Sequence, residues 1–321
     1  MVPSARSSGL VNTGPEGRGR LLSVVVNSKA IQFSVDPDQV AGHHVRVAGL
    51  EPEILEYYER GREAGRLAGE FPSGPLELVR TQELIGRHLP PAPLDVLDVG
   101  GGPGIYAAWL AGAGHRVCLI DPVPLHVEQA GARDARVSAR VGEARQLDAP
   151  DSSIDAVLLL GPLYHLVAEA DRLRALTEAR RVLRPGGCLF AAAISRWAAL
   201  LDLLVRLDRL HEPEVAETVA SALGDGVFRG HPSGLFTTAY MHRPGDLAAE
   251  LLQAGFAEPV VYNVEGPGFL VGDFAERWAD PGRREALLRA ARSVETEPDL
   301  LGASSHLLAV ARKPTDRPGL E

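Results

Sequence analysis

The chain has 321 residues, 45% of them apolar, and a formal net charge of −9. That length and apolar share suit one large globular domain with an accessory region and exclude a wholly disordered chain. The negative charge argues against a broad phosphate-binding surface, hence against nucleic acid as a partner, and no apolar run approaches the roughly 18 to 20 residues that span a bilayer, so no membrane is expected either.

Residues 1–45 carry glycine, serine and proline without helical or strand periodicity and read as a poorly ordered extension. Their apolar patch "LLSVVV" is shorter than the core of a secretory signal. The two cysteines, Cys118 and Cys188, lie in apolar strand-like runs, where buried free thiols are expected rather than a disulfide or metal ligands. Both features suit the cytoplasm. His43 and His44 have no partners at metal spacing, belong to the extension, and give no reason to expect a metal.

Residues 46–90 read as an N-terminal helical cap. In "EPEILEYYERGREAGRLAGE" Pro52 suits a first helical position and Ile54, Leu55 and Tyr58 share one face, weakened by Gly61 and Gly65. A second helix, "PLELVRTQELIGRHL", ends at the prolines Pro90 to Pro93. Residues 91–195 then alternate short β-rich runs with helical patterns, from "LDVLDVG" through "HRVCLID", "ARVSARVG" and "IDAVLLLG" to "GGCLFAAAIS". Such repetition implies a parallel sheet covered on both faces, with a ligand crevice at the strand ends where the order reverses. The alternation stops over residues 196–243, read as a helical insertion over that crevice, and resumes over 244–314 with "RPGDLAAELLQAGF", "EPVVYNVEG", "RREALLRAARSV" and "HLLAVARK"; residues 315–321 are a tail.

The turn in "VLDVGGGPGIYAAWL" decides what the crevice holds. Glycines at a strand end let backbone approach a ligand. A dinucleotide fingerprint would need glycine at Ile105; the spacing here is Gly100, Gly102, Gly104, after Asp98, with Pro103 removing an amide that a pyrophosphate would want. The next strand ends in Asp121, where an acid can accept ribose hydroxyls. The ligand therefore carries an adenosine-like ribose without a pyrophosphate.

"VLDVGGGPG", "LIDP", "GEARQLD", "IDAVLLLGPLYHL" and "RVLRPGG", in that order, resemble the motifs of the class I S-adenosylmethionine-dependent methyltransferases of the bacterial small-molecule type, over about Leu94 to Ile194. The resemblance implies a Rossmann-like, doubly wound, mostly parallel seven-stranded α/β sheet with the N-terminal cap and a helical insertion after the fifth strand, and S-adenosyl-L-methionine as cofactor. It implies that Asp98, Gly100 and Gly102 surround the methionine part, Asp121 binds the ribose, Pro122 and Val123 flank the adenine, and Glu143 and Ala144 meet its edge, Glu143 standing where this family often carries aspartate. Leu160 and Gly161 would close the fourth core strand beneath the sulfonium.

Tyr164 and His165 follow that strand, where this fold faces donor methyl and acceptor. Both are candidate catalytic residues, His165 as a general base with a pKa near neutrality; the alternative is that Tyr164 shapes the pocket and His165 caps a helix. From the cap, Tyr57, Arg66 and Arg80 are candidates to contact the cofactor, the arginines through its carboxylate; a solvated helix face is the alternative. In the insertion, Arg196, Trp197, Phe236, Tyr240 and His242 are candidate acceptor contacts, with His211 and His231 nearby, against the alternative that each packs the insertion's own core. "VEGPGF" would turn near the same mouth.

The expected activity is methyl transfer to an oxygen or nitrogen of a small-molecule acceptor, including secondary metabolites. A protein or peptide methyltransferase, a non-catalytic S-adenosylmethionine-binding regulatory module and a dinucleotide oxidoreductase are the alternatives. The acceptor and the oligomeric state are not legible in the sequence.

Overall fold

A computed structural model describes residues 20–26, 29–35, 52–61, 63–230 and 236–315. The chain forms two units, 1–48 and 49–321. In the first, β1 (Arg20–Val26) pairs antiparallel with β2 (Lys29–Val35), Arg20 opposite Val35. This hairpin corrects the expectation of an extension without strands: "LLSVVV" and "AIQFSV" hold β-branched and aromatic residues that favour pairing. His43, His44 and His231 lie outside the described residues.

The second unit opens with α1 (Pro52–Glu59). The single long helix expected there is broken. Gly61 takes φ +72, a left-handed conformation that ends a helix, and the chain re-forms as a π-helical turn, Arg66–Glu70, before α2 (Gly74–His88). The core then runs β3 (Asp95–Val99), α3 (Ile105–Gly112), β4 (Arg116–Asp121), α4 (Pro124–Arg133), β5 (Ser138–Val141), β6 (Ile154–Leu159), α5 (Pro162–His165), α6 (Glu169–Val182) and β7 (Leu183–Ser195). The insertion follows with α7 (Ala198–Leu201), a π turn, α8 (Pro213–Asp225), β8 (Val227–Phe228) and β9 (Ala239–His242). The sheet is completed by α9 (Pro244–Gln253), β10 (Ala257–Asn263), α10 (Phe274–Ala279), α11 (Pro281–Ser293) and β11 (His306–Arg312).

Strand order is β10-β11-β7-β6-β3-β4-β5, with only β11 antiparallel to its neighbours on this path. The seven strands of the sequence reading are thus present, and β3 sits where the order reverses. The insertion is less helical than expected, because β9 joins the sheet beside β7, Ile194 opposite Met241.

Alternation along the strands builds two cores. Leu97, Val157, Leu159, Leu189 and Ala191 face α6 and α9 through Leu176, Ala179, Leu247 and Leu251. Val96, Val117, Leu119, Leu158 and Phe190 face α2, α3 and α4 through Leu84, Ile85, Ala107, Leu110 and Ala130. Both faces of β6 are closed, with Ala156 to Leu159 at 0% exposure, so each large side chain there contributes about 1.5–3 kcal/mol. This doubly buried slab holds the ends of β3, β4 and β6 in fixed register, Asp98 lying between Leu119 and Leu158. Cys118 and Cys188 are free thiols, the latter buried. Among the described residues no helix is long and apolar enough to cross a membrane.

Candidate functional site

A cavity of about 1000 Å³, its open mouth included, lies at the carboxyl ends of β3, β4, β5 and β6. Asp98, Gly100, Gly102, Asp121, Pro122, Val123, Glu143, Ala144, Leu160, Gly161, Tyr164, His165 and Arg66 all line it. Apart from Arg66, which the cap supplies, these positions converge because each lies at or just beyond the end of a strand of one parallel sheet.

The glycine turn owes its residues to close approach. Gly100 has φ +67, and a Cβ there would lie 2.7 Å from Pro162 Cδ. Gly101 is equally constrained, since a Cβ would lie 2.6 Å from Leu119 Cδ1 and 2.7 Å from Asp98 Oδ2. Asp98 is fully buried, and apart from the backbone amide of Ala107 its carboxylate oxygens find no hydrogen-bond partner among the described residues. Burial and the charge of Asp121 push its pKa up to about 7, against the opposing pull of the Ala107 amide. Asp121 is well partnered: Oδ2 accepts the Gly102 amide at 2.9 Å, and Oδ1 accepts the Val123 amide at 2.9 Å and His126 Nδ1 at 3.0 Å. The acid thereby ties the glycine turn to the start of α4. Glu143 is ion-paired to Arg145 at 2.7 Å.

Tyr164 and His165 lie in α5, directly after β6. His165 Nε2 and the Tyr58 hydroxyl are 2.7 Å apart, joining the cap to the core. Burial pushes the His165 pKa down to about 4, although the Thr238 backbone and Asp121 pull the other way. The imidazole is neutral at pH 7, which corrects the expectation of a base titrating near neutrality: the rings of Tyr58, Tyr164 and Phe236, at 5.2, 4.6 and 6.1 Å, leave little solvent to stabilise a charge. Burial likewise raises the Tyr58 phenol well above its ordinary range.

In the cap the outcome is divided. Arg66 lines the cavity, its Nε donating to Glu63 at 2.7 Å and its Nη2 to Glu77 at 3.0 Å. Arg80 does not reach the cavity. Its buried guanidinium donates to the Val264 carbonyl and pairs with Glu83 and Glu295, because its position on α2 turns it toward the 264–295 region. Tyr57 is off by one: it packs edge-on against Tyr58 at 5.2 Å and Phe236 at 5.7 Å, while Tyr58 forms the wall.

The insertion candidates are displaced from the cavity. Arg196 is buried and donates to the Met241 carbonyl at 2.7 Å. Tyr240 lies under the Arg172 guanidinium at 3.6 Å, and His242, fully buried, meets Glu250 at 3.3 Å. Trp197 packs on Gly302, where a Cβ would come within 2.5 Å of its ring. Tyr240 and His242 are drawn to the sheet because β9 pairs with β7, while Arg196 and Trp197, directly after β7, are tied to β9 and to Gly302. Phe236 alone approaches the site, as a neighbour of His165. The turn "VEGPGF" is also apart from the cavity walls: Glu265 is buried on Ser304 and His306, and the 3-10 turn Gly266–Leu270 follows.

Tyr58, Glu63 and His126 line the cavity unforeseen. Tyr58 stood in the apolar face recognised for α1, and only its contact with a residue 107 positions away distinguishes it from Tyr57. Behind Arg66 the polar chain continues through Glu77 to His306 and Glu265, with His306 Nδ1 2.6 Å from Glu265. Burial alone would lower the His306 pKa; Glu77 and Glu265 outweigh it and push it up to about 9. The ligand atoms of Glu77, Glu265 and His306 lie within 4.8 Å of one another. Their negative charge is met by Arg66 and by protonated His306.

The profile of a methyltransferase domain matches residues 96–187. An uncharacterized methyltransferase of Mycobacterium bovis is 37% identical over 132 residues, which are 41% of this chain and 46% of that protein, so the match spans about half the relative's length. A ubiquinone biosynthesis O-methyltransferase of Agrobacterium fabrum is 30% identical over 203 residues, 59% of this chain and 74% of the relative. Among solved structures, phosphoethanolamine N-methyltransferase 2 of Haemonchus contortus, bound to phosphomonomethylethanolamine and S-adenosylhomocysteine, shares the fold with a TM-score of 0.53 at 18% identity, covering 82% of this chain and 61% of that one.

Proposed function

Because the chain belongs to the class I S-adenosylmethionine-dependent methyltransferases, with S-adenosylmethionine as donor, we propose that it methylates an oxygen or nitrogen of a small molecule bound between the donor and the Tyr58–His165 pair. The observation that carries this reading is the buried Asp98 carboxylate, which has no cationic partner among the described residues, beside a turn in which Gly100 and Gly101 leave no room for a Cβ, one strand from Asp121. A buried carboxylate without a cationic partner is complementary to a cationic ligand, and the donor is one.

In this reading Asp98, Gly100 and Gly102 cradle the methionine part, Asp121 takes the ribose, Pro122, Val123, Glu143 and Ala144 border the adenine, and Leu160 and Gly161 underlie the sulfur. Arg66 meets the donor's carboxylate by exchanging one of its two glutamate partners. The cofactor supplies an activated methyl group on a sulfonium, already a good leaving group. The chain's own contribution is alignment and exclusion of water. Held by these residues, the donor would give that methyl group to the acceptor oxygen or nitrogen and would leave as the neutral thioether. The acceptor's proton passes to the Tyr58 oxygen as the Tyr58 hydroxyl gives its own proton to His165 Nε2, and the imidazolium then releases a proton to solvent. One positive charge is present before and after, so a neutral, half-buried imidazole is a workable proton acceptor although its surroundings make it a weaker base than a free imidazole. Tyr164 shapes the wall beside it. The relatives named for O- and N-methylation are consistent with leaving the acceptor atom open between the two.

The test is calorimetry with S-adenosylmethionine and S-adenosylhomocysteine, joined to methyl release over a panel of hydroxylated and amino metabolites. Binding with turnover on a metabolite supports the reading; failure to bind either cofactor form would refute it. Asp121→Ala should weaken binding by about 1–3 kcal/mol, the cost of unmet buried partners.

A further inference from the structure

Asp121 is more heavily committed than a strand-closing acid need be. Its Oδ1 receives both the Val123 amide and His126 Nδ1, and its Oδ2 receives the Gly102 amide. An ionised carboxylate offers about four acceptor positions, so these bonds leave about one, on Oδ2. A ribose presents two neighbouring hydroxyls, both of which donate. Asp121 as it stands can receive one of them.

We infer that His126 takes the other, so that Asp121 and His126 together read the ribose of the donor, an assignment that rests on the function proposed above. An ionised carboxylate cannot donate a hydrogen bond, so the 3.0 Å contact fixes a proton on His126 Nδ1. In the neutral imidazole Nε2 then carries the lone pair and is an acceptor. The ring is 3% exposed and forms part of the cavity wall. Its Nε2 is buried and has no hydrogen-bond partner among the described residues. Tyr58 packs edge-on against the ring at 5.6 Å and limits its rotation. A fixed, buried and unmet acceptor beside a nearly saturated acid is the complement of a second hydroxyl, since a buried polar group is costly until it finds a partner. His126 is thus a binding residue on its Nε2 side and a positioning residue for Asp121 on its Nδ1 side.

The experiment is imidazole 15N NMR on the full wild-type chain, with the His126 resonances identified by their absence from a His126→Phe spectrum, or from His126→Gln if the first variant does not fold. Titration with S-adenosylhomocysteine should move the His126 Nε2 resonance as its lone pair gains a donor. One of the two analogues, 2′-deoxy or 3′-deoxy S-adenosylhomocysteine, should bind without that movement, and the other should reproduce it. An Nε2 resonance that does not move with S-adenosylhomocysteine, or that moves alike with both deoxy analogues, overturns the inference and leaves the proposed function standing. If S-adenosylhomocysteine fails to bind at all, both fall together.

Discussion

The hydroxyl of Tyr58, on the first helix of the cap, lies 2.7 Å from Nε2 of His165, just beyond the fourth core strand. The bond links two segments 107 residues apart and puts a phenol where the proposed reaction needs a proton acceptor. Tyr58→Phe is predicted to cost about 1 kcal/mol of stability by leaving the imidazole unmet. His165→Phe should cost less in that background than in the wild type. Urea unfolding of the two single variants and the double variant measures this coupling, and additive costs would show that the pair contributes nothing as a pair.

Asp98 makes donor binding depend on pH. Its pKa of about 7 means that a large fraction of the carboxyl is protonated near pH 6. A cation bound beside it favours the ionised form, so binding should release a proton near pH 6 and almost none near pH 8.5, and affinity for S-adenosylmethionine should rise as pH increases toward 7. Calorimetry in buffers of differing ionisation enthalpy reads the proton directly. Asp98→Asn should weaken binding and abolish the linkage; a wild-type affinity constant across this range would remove Asp98 from the donor's surroundings.

The two cap arginines should separate by phenotype. Arg80→Ala leaves Glu83 and Glu295 short of a buried partner and should destabilise the fold by about 3 kcal/mol. The remaining folded protein should bind S-adenosylhomocysteine as the wild type does. Arg66→Ala should weaken that binding instead, and equal binding by the two variants would contradict the division.

His306 should set an alkaline limit to stability. Its folded pKa, about 9, is above the ordinary value of 6.5. The folded chain therefore holds a proton that the unfolded chain has released between those values, and this contribution is complete below about pH 6.5 and lost as pH rises through about 9. Unfolding free energies measured across pH 6 to 10 should fall in this window. His306→Gln should flatten the decline, and a variant with the same alkaline slope as the wild type would locate its source elsewhere.

Much of the site was legible because strand-closing residues are local signals. The spacing of Gly100, Gly102 and Gly104, the acid Asp121 at the next strand end and the "GPLYHL" turn each follow a β-rich run, and a parallel sheet brings such ends together whatever the loops between them do. The cap and insertion were harder to read. Helical periodicity places Tyr57 and Tyr58, or Arg66 and Arg80, on equally plausible faces, and only the surface each helix packs against chooses between them. "FTTAYMH" carries no local sign that its second half will extend the sheet beside β7 and take Tyr240 and His242 inside with it.

By itself, then, the sequence determined the sheet, its ligand crevice and the kind of donor, because hydrophobic period and glycine spacing act over a few neighbouring residues. Tertiary structure decided the protonation of Asp98 and His165, the choice of Tyr58 over Tyr57, the diversion of Arg80 into an ion-pair network and the role open to His126. Each of these depends on burial and on partners distant in the chain, where a change of neighbour alters the cost of a charge by several kcal/mol.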